Sequence, residues 1–493
     1  MRKVYEGIVV IVVFLVVGTG LPPPQSETSL AQTQERPNIV LIVTDDQRTG
    51  DLAHMPNVQK LLVQQGTTFT RFTIAQPQCC PSRATFLTGR YSHNHRTGFG
   101  GKASAKFFAR SGAQSDTYAT RLDRAGYRTG YFGKYMNGYK QKRGTPAGWD
   151  EFYANVGRNS WSRCFNADGR GMKCQKRGNM DAFYGERAAG FVNGSGPFLA
   201  IYAPNAPHTD QNRPPPVPAW AMKQLKDAAL PRPPSFNERN VSDKPGFIKN
   251  AKRLSGREIK TMAREHRARL GSLQVVDHYV AQMVSNLERS GELANTYFVF
   301  TTDNGYHMGQ HRMELGKGTP YVEDVIFPLV VRGPGVPTDT REELVQNIDL
   351  ASTFADLARV EPPAKADGVS FAPLLRGEDI PWRDAALLED GGRLGFSGLI
   401  TERGEAYVEW KTGFREYYDL DKDPFQLDNA FKSKAVPPPD PARVAELAAR
   451  LEQLRSCKTD TCSDAANAVT PLTPSRLDLL RAGKALWEKA SNG

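Results

Sequence analysis

The chain has 493 residues, 39% hydrophobic and 24% charged, a composition that suits a globular protein and excludes both a disordered polymer and a bundle of membrane helices. Its 64 Lys and Arg against 53 Asp and Glu leave a formal charge of +11, which suits an anionic substrate through long-range steering and equally an anionic surface or a simply solvated basic exterior. No basic stretch interleaved with aromatic residues marks a nucleic-acid surface, so no nucleic-acid partner is expected.

At the N-terminus, Arg2 and Lys3 precede an apolar run over 8–17, then Gly18-Thr19-Gly20 and Pro22, Pro23 and Pro24. This is the pattern of an export signal followed by a Pro-rich leader, and segment 1–34 is read so. The apolar core is shorter than the ~20 residues that span a bilayer. The expectation is a secreted or extracytoplasmic protein with no stable membrane span after cleavage; an uncleaved tether is the alternative.

Segment 35–385 opens with Asn38–Thr44, a continuous apolar run rich in β-branched residues that reads as a buried strand of a parallel sheet. Helical patterns follow over 58–65 and 119–125, ended by Gly66 and Gly126, then strands over 129–132 and 198–203. The longest helix is expected over 257–289, where Leu273, Val276, Val280, Met283 and Leu287 recur every three or four residues and Gly291 stops the run. Strands over 296–302 and 329–331 complete an α/β alternation, which predicts a large, mostly parallel sheet flanked by helices. Segment 386–493 reads differently: short strands over 398–401, 407–411 and 417–420, then a helix over 441–454 with Val444, Leu447 and Leu451 on one stripe. This predicts a small α+β antiparallel subdomain with a tail.

Six cysteines in an exported chain sort by spacing. Cys164 with Cys174 and Cys457 with Cys462 are close enough for local disulfides. Cys79 and Cys80 are left over, because adjacent cysteines pair only with strain. Asn193-Gly194-Ser195 and Asn240-Val241-Ser242 match the glycosylation triplet.

The chemistry-bearing residues cluster at strand ends. Asp45 and Asp46 directly follow the first strand, and Asp303 and Asn304 directly follow the strand over 296–302. Open α/β sheets bind ligands at the carboxyl ends of their strands, and adjacent carboxylates repel unless a cation lies between them. A divalent metal held by Asp45, Asp46, Asp303 and Asn304 is the expectation.

The run Cys79-Cys80-Pro81-Ser82-Arg83 through Leu87-Thr88-Gly89 resembles the Cys-x-Pro-Ser-Arg-x-x-x-Leu-Thr-Gly signature of the formylglycine-dependent type I sulfatases. Further elements resemble that family in its order: Gly133-Lys134-Tyr135, Pro146-Ala147-Gly148-Trp149-Asp150, Ala206-Pro207-His208, Gly316-Lys317-Gly318-Thr319-Pro320-Tyr321, and Tyr418-Asp419-Leu420-Asp421-Lys422-Asp423-Pro424. The resemblance covers most of residues 36–430 and is nearest to the N-acetylglucosamine-6-sulfatase and arylsulfatase-like branch. It implies an alkaline-phosphatase-like fold.

The resemblance also implies that a maturation enzyme converts Cys79 to formylglycine, whose hydrated aldehyde attacks sulfur and adds a ligand to the metal, Ca²⁺ rather than Mg²⁺. Arg83, Lys134, His208 and Lys317 become the groups that hold and protonate the ester; His307 and His311, two further imidazoles between these elements, are candidates either to bind substrate or to serve as the base of the second half-reaction. Substrates implied are 6-O-sulfated N-acetylglucosamine in glycosaminoglycans, or aryl sulfates. One departure stands out. Many sulfatases keep a histidine two or three residues after the lysine, and here Met136 and Asn137 occupy those positions. Alternatives are a phosphate or phosphonate ester hydrolase of the same fold, or a non-catalytic binder of sulfated glycans should Cys79 stay unmodified.

Overall fold

The computed structural model describes residues 36–467 apart from 99–103, 141–142, 157–162, 169, 177, 211–212, 226 and 393. The segment read as a leader and the end of the C-terminal segment lie outside the described residues. Sixteen strands are found among them. In chain order they are β1 Asn38–Thr44, β2 Thr67–Phe69, β3 Arg128–Gly133, β4 Glu151–Asn155, β5 Cys164–Ala167, β6 Met172–Cys174, β7 Phe198–Ala203 and β8 Thr296–Thr302. There follow β9 His307–Met308, β10 Leu315–Gly316, β11 Leu329–Arg332, β12 Asp339–Arg341, β13 Ala385–Asp390, β14 Phe396–Thr401, β15 Glu405–Trp410 and β16 Arg415–Asp419.

Ten of these form one sheet in the order β12-β2-β11-β8-β1-β7-β3-β4-β5-β6. The centre, β8-β1-β7-β3-β4, is parallel. On one flank β11 pairs antiparallel with β8, and on the other β5 and β6 form an antiparallel extension of β4. The sheet is thus mostly parallel where it carries the site, with antiparallel flanks that the apolar run over 329–331 did not reveal.

Both faces of the central strands are buried, which explains why they read as unbroken apolar runs rather than alternating ones. Ile39, Leu41 and Val43 of β1 face one core with Tyr297 and Val299 of β8, packed beneath the helices Cys79–Thr88, Tyr118–Arg124 and Asp349–Leu357. Val40 and Ile42 face the opposite core with Phe298 and Phe300, covered by the helices Met180–Phe191 and Gly256–Ser290. The latter is the predicted long helix, capped by a reciprocal Ser255 and Glu258 box and ended by Gly291 in the left-handed region.

The small sheet, β13-β14-β15-β16, is antiparallel. Ala385, Leu387, Leu399 and Tyr407 pack on Val444, Leu447, Leu451 and Leu454 of the helix Pro441–Ser456; the other face, including Ala386, Leu388, Ile400 and Val408, meets Val325 and Leu344. Its first strand, β13, opens at Ala385. Disulfides join Cys164 to Cys174 across the β5–β6 pair and Cys457 to Cys462, while Cys79 and Cys80 are free and buried. Asn193 and Asn240 are exposed.

Candidate active site

Register decides the heart of the site. β1 and β8 run parallel with Thr44 opposite Thr302, so the next residues of both strands, Asp45-Asp46 and Asp303-Asn304, emerge side by side. The amide of Asp303 donates to the Thr44 carbonyl at 3.0 Å, and the amide of Asp46 donates to Asp303 Oδ1 at 3.2 Å. Asp46 adopts a left-handed φ of 66°, a costly conformation for a residue with a side chain. It is held there from three sides: by that amide, by Asn304 Nδ2 donating to its Oδ1 at 2.7 Å, and by Arg269 donating to its carbonyl.

Cys79 is the first residue of the helix Cys79–Thr88, every residue of which is buried. One turn on, Arg83 donates from Nε to Asp303 Oδ2 at 2.8 Å and from Nη1 to the Lys134 carbonyl at 2.6 Å. Its Nη2 lies 3.9 Å from Asp45 and has no hydrogen-bond partner. Lys134 enters from the end of β3, where Gly133 at φ 128° brings the backbone so near β7 that a Cβ would lie 1.9 Å from the Ala203 oxygen. The Lys134 ammonium pairs with Asp45 and lies 3.2 Å from Cys79 Sγ. Lys317, just past β10, pairs with Asp46 and lies 2.6 Å from the same sulfur.

His208 follows β7 on a loop fixed by Asp181, whose carboxylate accepts from the Asn205 and Ala206 amides at 2.7 and 2.9 Å. His208 Nδ1 meets the Thr209 carbonyl at 2.6 Å and therefore carries the hydrogen, which directs Nε2 into the site 3.6 Å from Asp46. The structure thus gathers Asp45, Asp46, Cys79, Arg83, Lys134, His208, Asp303, Asn304 and Lys317 around one point.

The two remaining histidines stand apart. His307 Nδ1 is 3.0 Å from Asp324, which also accepts from Thr319, and this fixes the ring at the edge of the site. His311 is fully buried, bound to Glu238 at 2.6 Å and tilted against Tyr321 with ring centres 4.5 Å apart. Met136 lies in the apolar core, and Asn137 engages Cys80 Sγ only through its amide, at 3.0 Å. Neither supplies a base. That contact also accounts for Cys80, a buried thiol that closes the start of the helix.

The electrostatics describe three buried carboxylates matched by the three cations Arg83, Lys134 and Lys317. Burial pushes Asp45 up, yet Lys134, His208, Arg83 and Lys317 together outweigh it and hold its carboxyl well below the usual range. Asp46 follows the same course with Lys317 and His208. Asp303 is pushed up to about 6 by burial and by Asp45, against Arg83. All three carboxylates are therefore ionised at neutral pH, the form in which they can serve as metal ligands. Burial, with Asp45 beside it, also raises the Cys79 thiol despite both lysines, so as a plain cysteine it stays protonated at neutral pH. Burial lowers His208 against the pull of Asp45 and Asp46.

The donor set fits a hard divalent metal. Asp45, Asp46, Cys79 and His208 offer ligand atoms within 4.8 Å of one another. Asn304 Oδ1 is a buried acceptor without a hydrogen-bond partner. A buried amide oxygen beside three carboxylates is an oxygen shell of the kind Ca²⁺ or Mg²⁺ takes.

Sequence reasoning passed over Asp181, Ser82, whose hydroxyl donates to the Asp303 carbonyl, and Arg269. For Arg269 a signal existed. The stripe Leu273, Val276, Val280, Met283, Leu287 extends backwards at the same spacing through Arg269 and His266 to Met262, so two polar residues sit on a buried face. Arg269 is fully buried, with its guanidinium 4.0 Å over the Tyr306 ring.

Comparison with known proteins matches this arrangement. The family model for sulfatases matches residues 37–360. A Caenorhabditis elegans extracellular sulfatase Sulf-1 homolog is 32% identical over 84% of this chain, which spans 60% of that relative's length. The human N-acetylglucosamine-6-sulfatase is 30% identical, over 88% of this chain and 87% of its own. A solved protein in complex with its substrate, D-glucosamine-2-N,6-O-disulfate, has the same fold at a TM-score of 0.68 and 22% identity, covering 85% of this chain and 98% of that one. The alkaline-phosphatase-like sheet, the strand-end carboxylates and these matches agree, and the chain belongs to the sulfatase family, enzymes that hydrolyse sulfate esters.

Proposed function

We propose that the ester cleaved is the 6-O-sulfate of N-acetylglucosamine in a glycosaminoglycan, with aryl sulfates as generic substrates, and that the nucleophile is formylglycine made from Cys79 by a maturation enzyme. The observation that carries the reading is the convergence of the Lys134 and Lys317 ammonium groups on one buried sulfur, at 3.2 and 2.6 Å, beside the strand-end carboxylates. Each lysine neutralises a buried carboxylate, yet both ammonium groups also meet at the same protonated thiol, and that convergence is what an anionic ester needs. The saccharide assignment is supported by the name of the human relative and by the glucosamine disulfate bound in the solved relative.

Asp45, Asp46, Asp303 and Asn304 are the residues that would hold the metal. We favour Ca²⁺ over Mg²⁺ because three carboxylates and an amide oxygen suit its larger, oxygen-rich shell. When bound, the cation neutralises sulfate charge and polarises a sulfur–oxygen bond. The chain's own residues do the rest. Lys134, Lys317 and the free Nη2 of Arg83 grip the sulfate oxygens and offset the charge that keeps a nucleophile away. One hydroxyl of the hydrated aldehyde attacks sulfur while the bond to the sugar oxygen breaks. His208, with Nδ1–H anchored on Thr209 and Nε2 turned inward, passes a proton to that oxygen in its doubly protonated form, which Asp45, Asp46 and the bound anionic ester favour against burial. The proton of the second hydroxyl then passes to Nε2 of His208, left neutral by the first step, which expels sulfate and restores the aldehyde.

The same reading places the enzyme outside the cytoplasm, supported by the leader pattern, the two disulfides and a relative named as extracellular. No helix of the described residues is long and apolar enough to cross a membrane. The test is intact-mass analysis of the Cys79 peptide from a host with the maturation system, alongside rates on nitrophenyl sulfate and nitrophenyl phosphate. An aldehyde at Cys79 with faster sulfate turnover is expected. Unmodified thiol without sulfate release would favour a glycan binder, and faster phosphate turnover a phosphate ester hydrolase.

A further inference from the structure

Beyond Lys317 and His307 the site opens into a second space. A cavity of about 490 Å³ is lined by both residues at its inner end and continues along Phe247, Lys252, Arg253, Leu254 and Leu315. Lys317 belongs to both spaces, since its ammonium touches Cys79, so the cavity lies one side chain from the reacting centre. A substrate whose sulfate sits on Cys79 must send the rest of its body somewhere, and this cavity is large enough for a saccharide unit.

Its chemistry is two-sided. Phe247 is 45% exposed and rests edge-on against Trp410, 5.5 Å between ring centres, which gives a rigid apolar surface for the face of a sugar ring. Opposite charges do not balance. Lys252, Arg253, Arg312 and Lys317 contribute four cations against the carboxylates of Glu258 and Glu314. Glu258 is committed to the Ser255 amide and hydroxyl, at 2.6 Å each, and Arg312 to the carbonyls of Glu238, Arg239 and Ala251. Lys252 and Arg253 are exposed and hold no hydrogen bond or ion pair among the described residues.

The geometry points to a second anion subsite: Lys252 and Arg253 bind an acidic substituent on the saccharide next to the sulfated one, while Phe247 carries its ring. The inference rests on the saccharide reading given above and adds that the preferred substrate is an acidic oligosaccharide. A carboxylate and a second sulfate share the chemistry these cations recognise.

Calorimetry on the Cys79→Ala chain separates this subsite from turnover. The ligands are 6-sulfated N-acetylglucosamine joined to a uronic acid, to galactose, to a carboxyl-reduced uronic acid, and to a 2-O-sulfated, carboxyl-reduced one. Either acidic neighbour should tighten binding about tenfold or more over its neutral counterpart. The arm that shows the gain identifies carboxylate or sulfate. In Lys252→Gln/Arg253→Gln the gain should vanish with the galactose ligand still bound, and in Lys252→Arg/Arg253→Lys it should persist. Equal binding of acidic and neutral ligands by the unaltered pair, survival of the gain in the glutamine variant, or loss of all four ligands alike would overturn the subsite. Should the matured enzyme release sulfate from no ester while the binding contrast remains, the reaction assignment fails and the subsite stands.

Discussion

Lys134 and Lys317 hold the same sulfur from two sides, yet each leans on a different carboxylate, Asp45 for one and Asp46 for the other. Burial works against both ammonium groups, but the carboxylates and Cys79 keep them protonated well past neutral pH. They therefore carry full positive charge at neutral pH, and their removal acts on the transition state. Lys134→Ala and Lys317→Ala should each lower kcat by roughly 10² to 10³, with arginine a poor replacement in so closed a space. Steady-state rates on nitrophenyl sulfate check this, and a loss confined to KM would place the lysines in ground-state binding. The carboxylates make a second prediction. Chelation should abolish turnover and lower Tm, and Ca²⁺ should restore both at lower concentration than Mg²⁺; saturation at about 100 times Kd stabilises by about 2.7 kcal/mol. Asn304→Ala, which deletes the unpartnered Oδ1, should shift the Ca²⁺ dependence of Tm to higher concentration.

Elements position these residues more than the motifs themselves do. His208 sits on a loop with no regular structure, and its placement is transmitted from the helix Met180–Phe191 through Asp181, which burial raises to about 6 even against the amides it accepts from. Asp181→Ala would strand the Asn205 and Ala206 amides in the interior at a cost of about 1–3 kcal/mol each. Asp181→Asn keeps one acceptor and should cost less. The expected result is a fall in kcat that tracks the loss in Tm across the two variants; full activity in a destabilised Asp181→Ala would separate the loop from the chemistry. Strand-end carboxylates were legible in the sequence because a parallel strand announces itself by an apolar run and its last residue dates the turn. Asp181 was not, because its partners lie 24 and 25 residues on and meet it only in three dimensions. β13 was missed for another reason: Ala385-Ala386-Leu387-Leu388-Glu389-Asp390 is made of helix formers, and only pairing with β14 makes it a strand. His311 is a motif-adjacent imidazole whose partner, Glu238, lies 73 residues away and was equally out of reach of the sequence.

On the scale of the whole molecule, buried imidazoles set one side of the pH response. Burial, with Arg90 beside it, lowers His95 to about 3, and burial lowers His266 to about 4 despite Asp51. The physical reason is visible at His95, where Nδ1 accepts from the Thr97 amide at 3.0 Å and Nε2 meets the Thr85 hydroxyl at 3.1 Å, so no site remains for a second proton. Above the unfolded value near 6.5 neither state binds the proton and stability is complete. As pH falls below that value the unfolded chain gains protons that the folded chain refuses, and stability is lost down to the folded values. Asp181 opposes this, because a carboxyl raised to about 6 gains protons in the folded state first, between about 6 and its ordinary range near 3.8. The net slope mixes both signs, so the test is a difference. Each histidine costs about 2 kcal/mol at pH 5 relative to pH 7.5. Replacing one by a residue that does not titrate, His95→Gln, should therefore narrow the gap in unfolding free energy between those two pH values by about that amount, whatever the variant costs at pH 7.5. Denaturant unfolding of both chains at the two pH values measures it, and parallel losses would mean that His95 already accepts its proton in the folded enzyme.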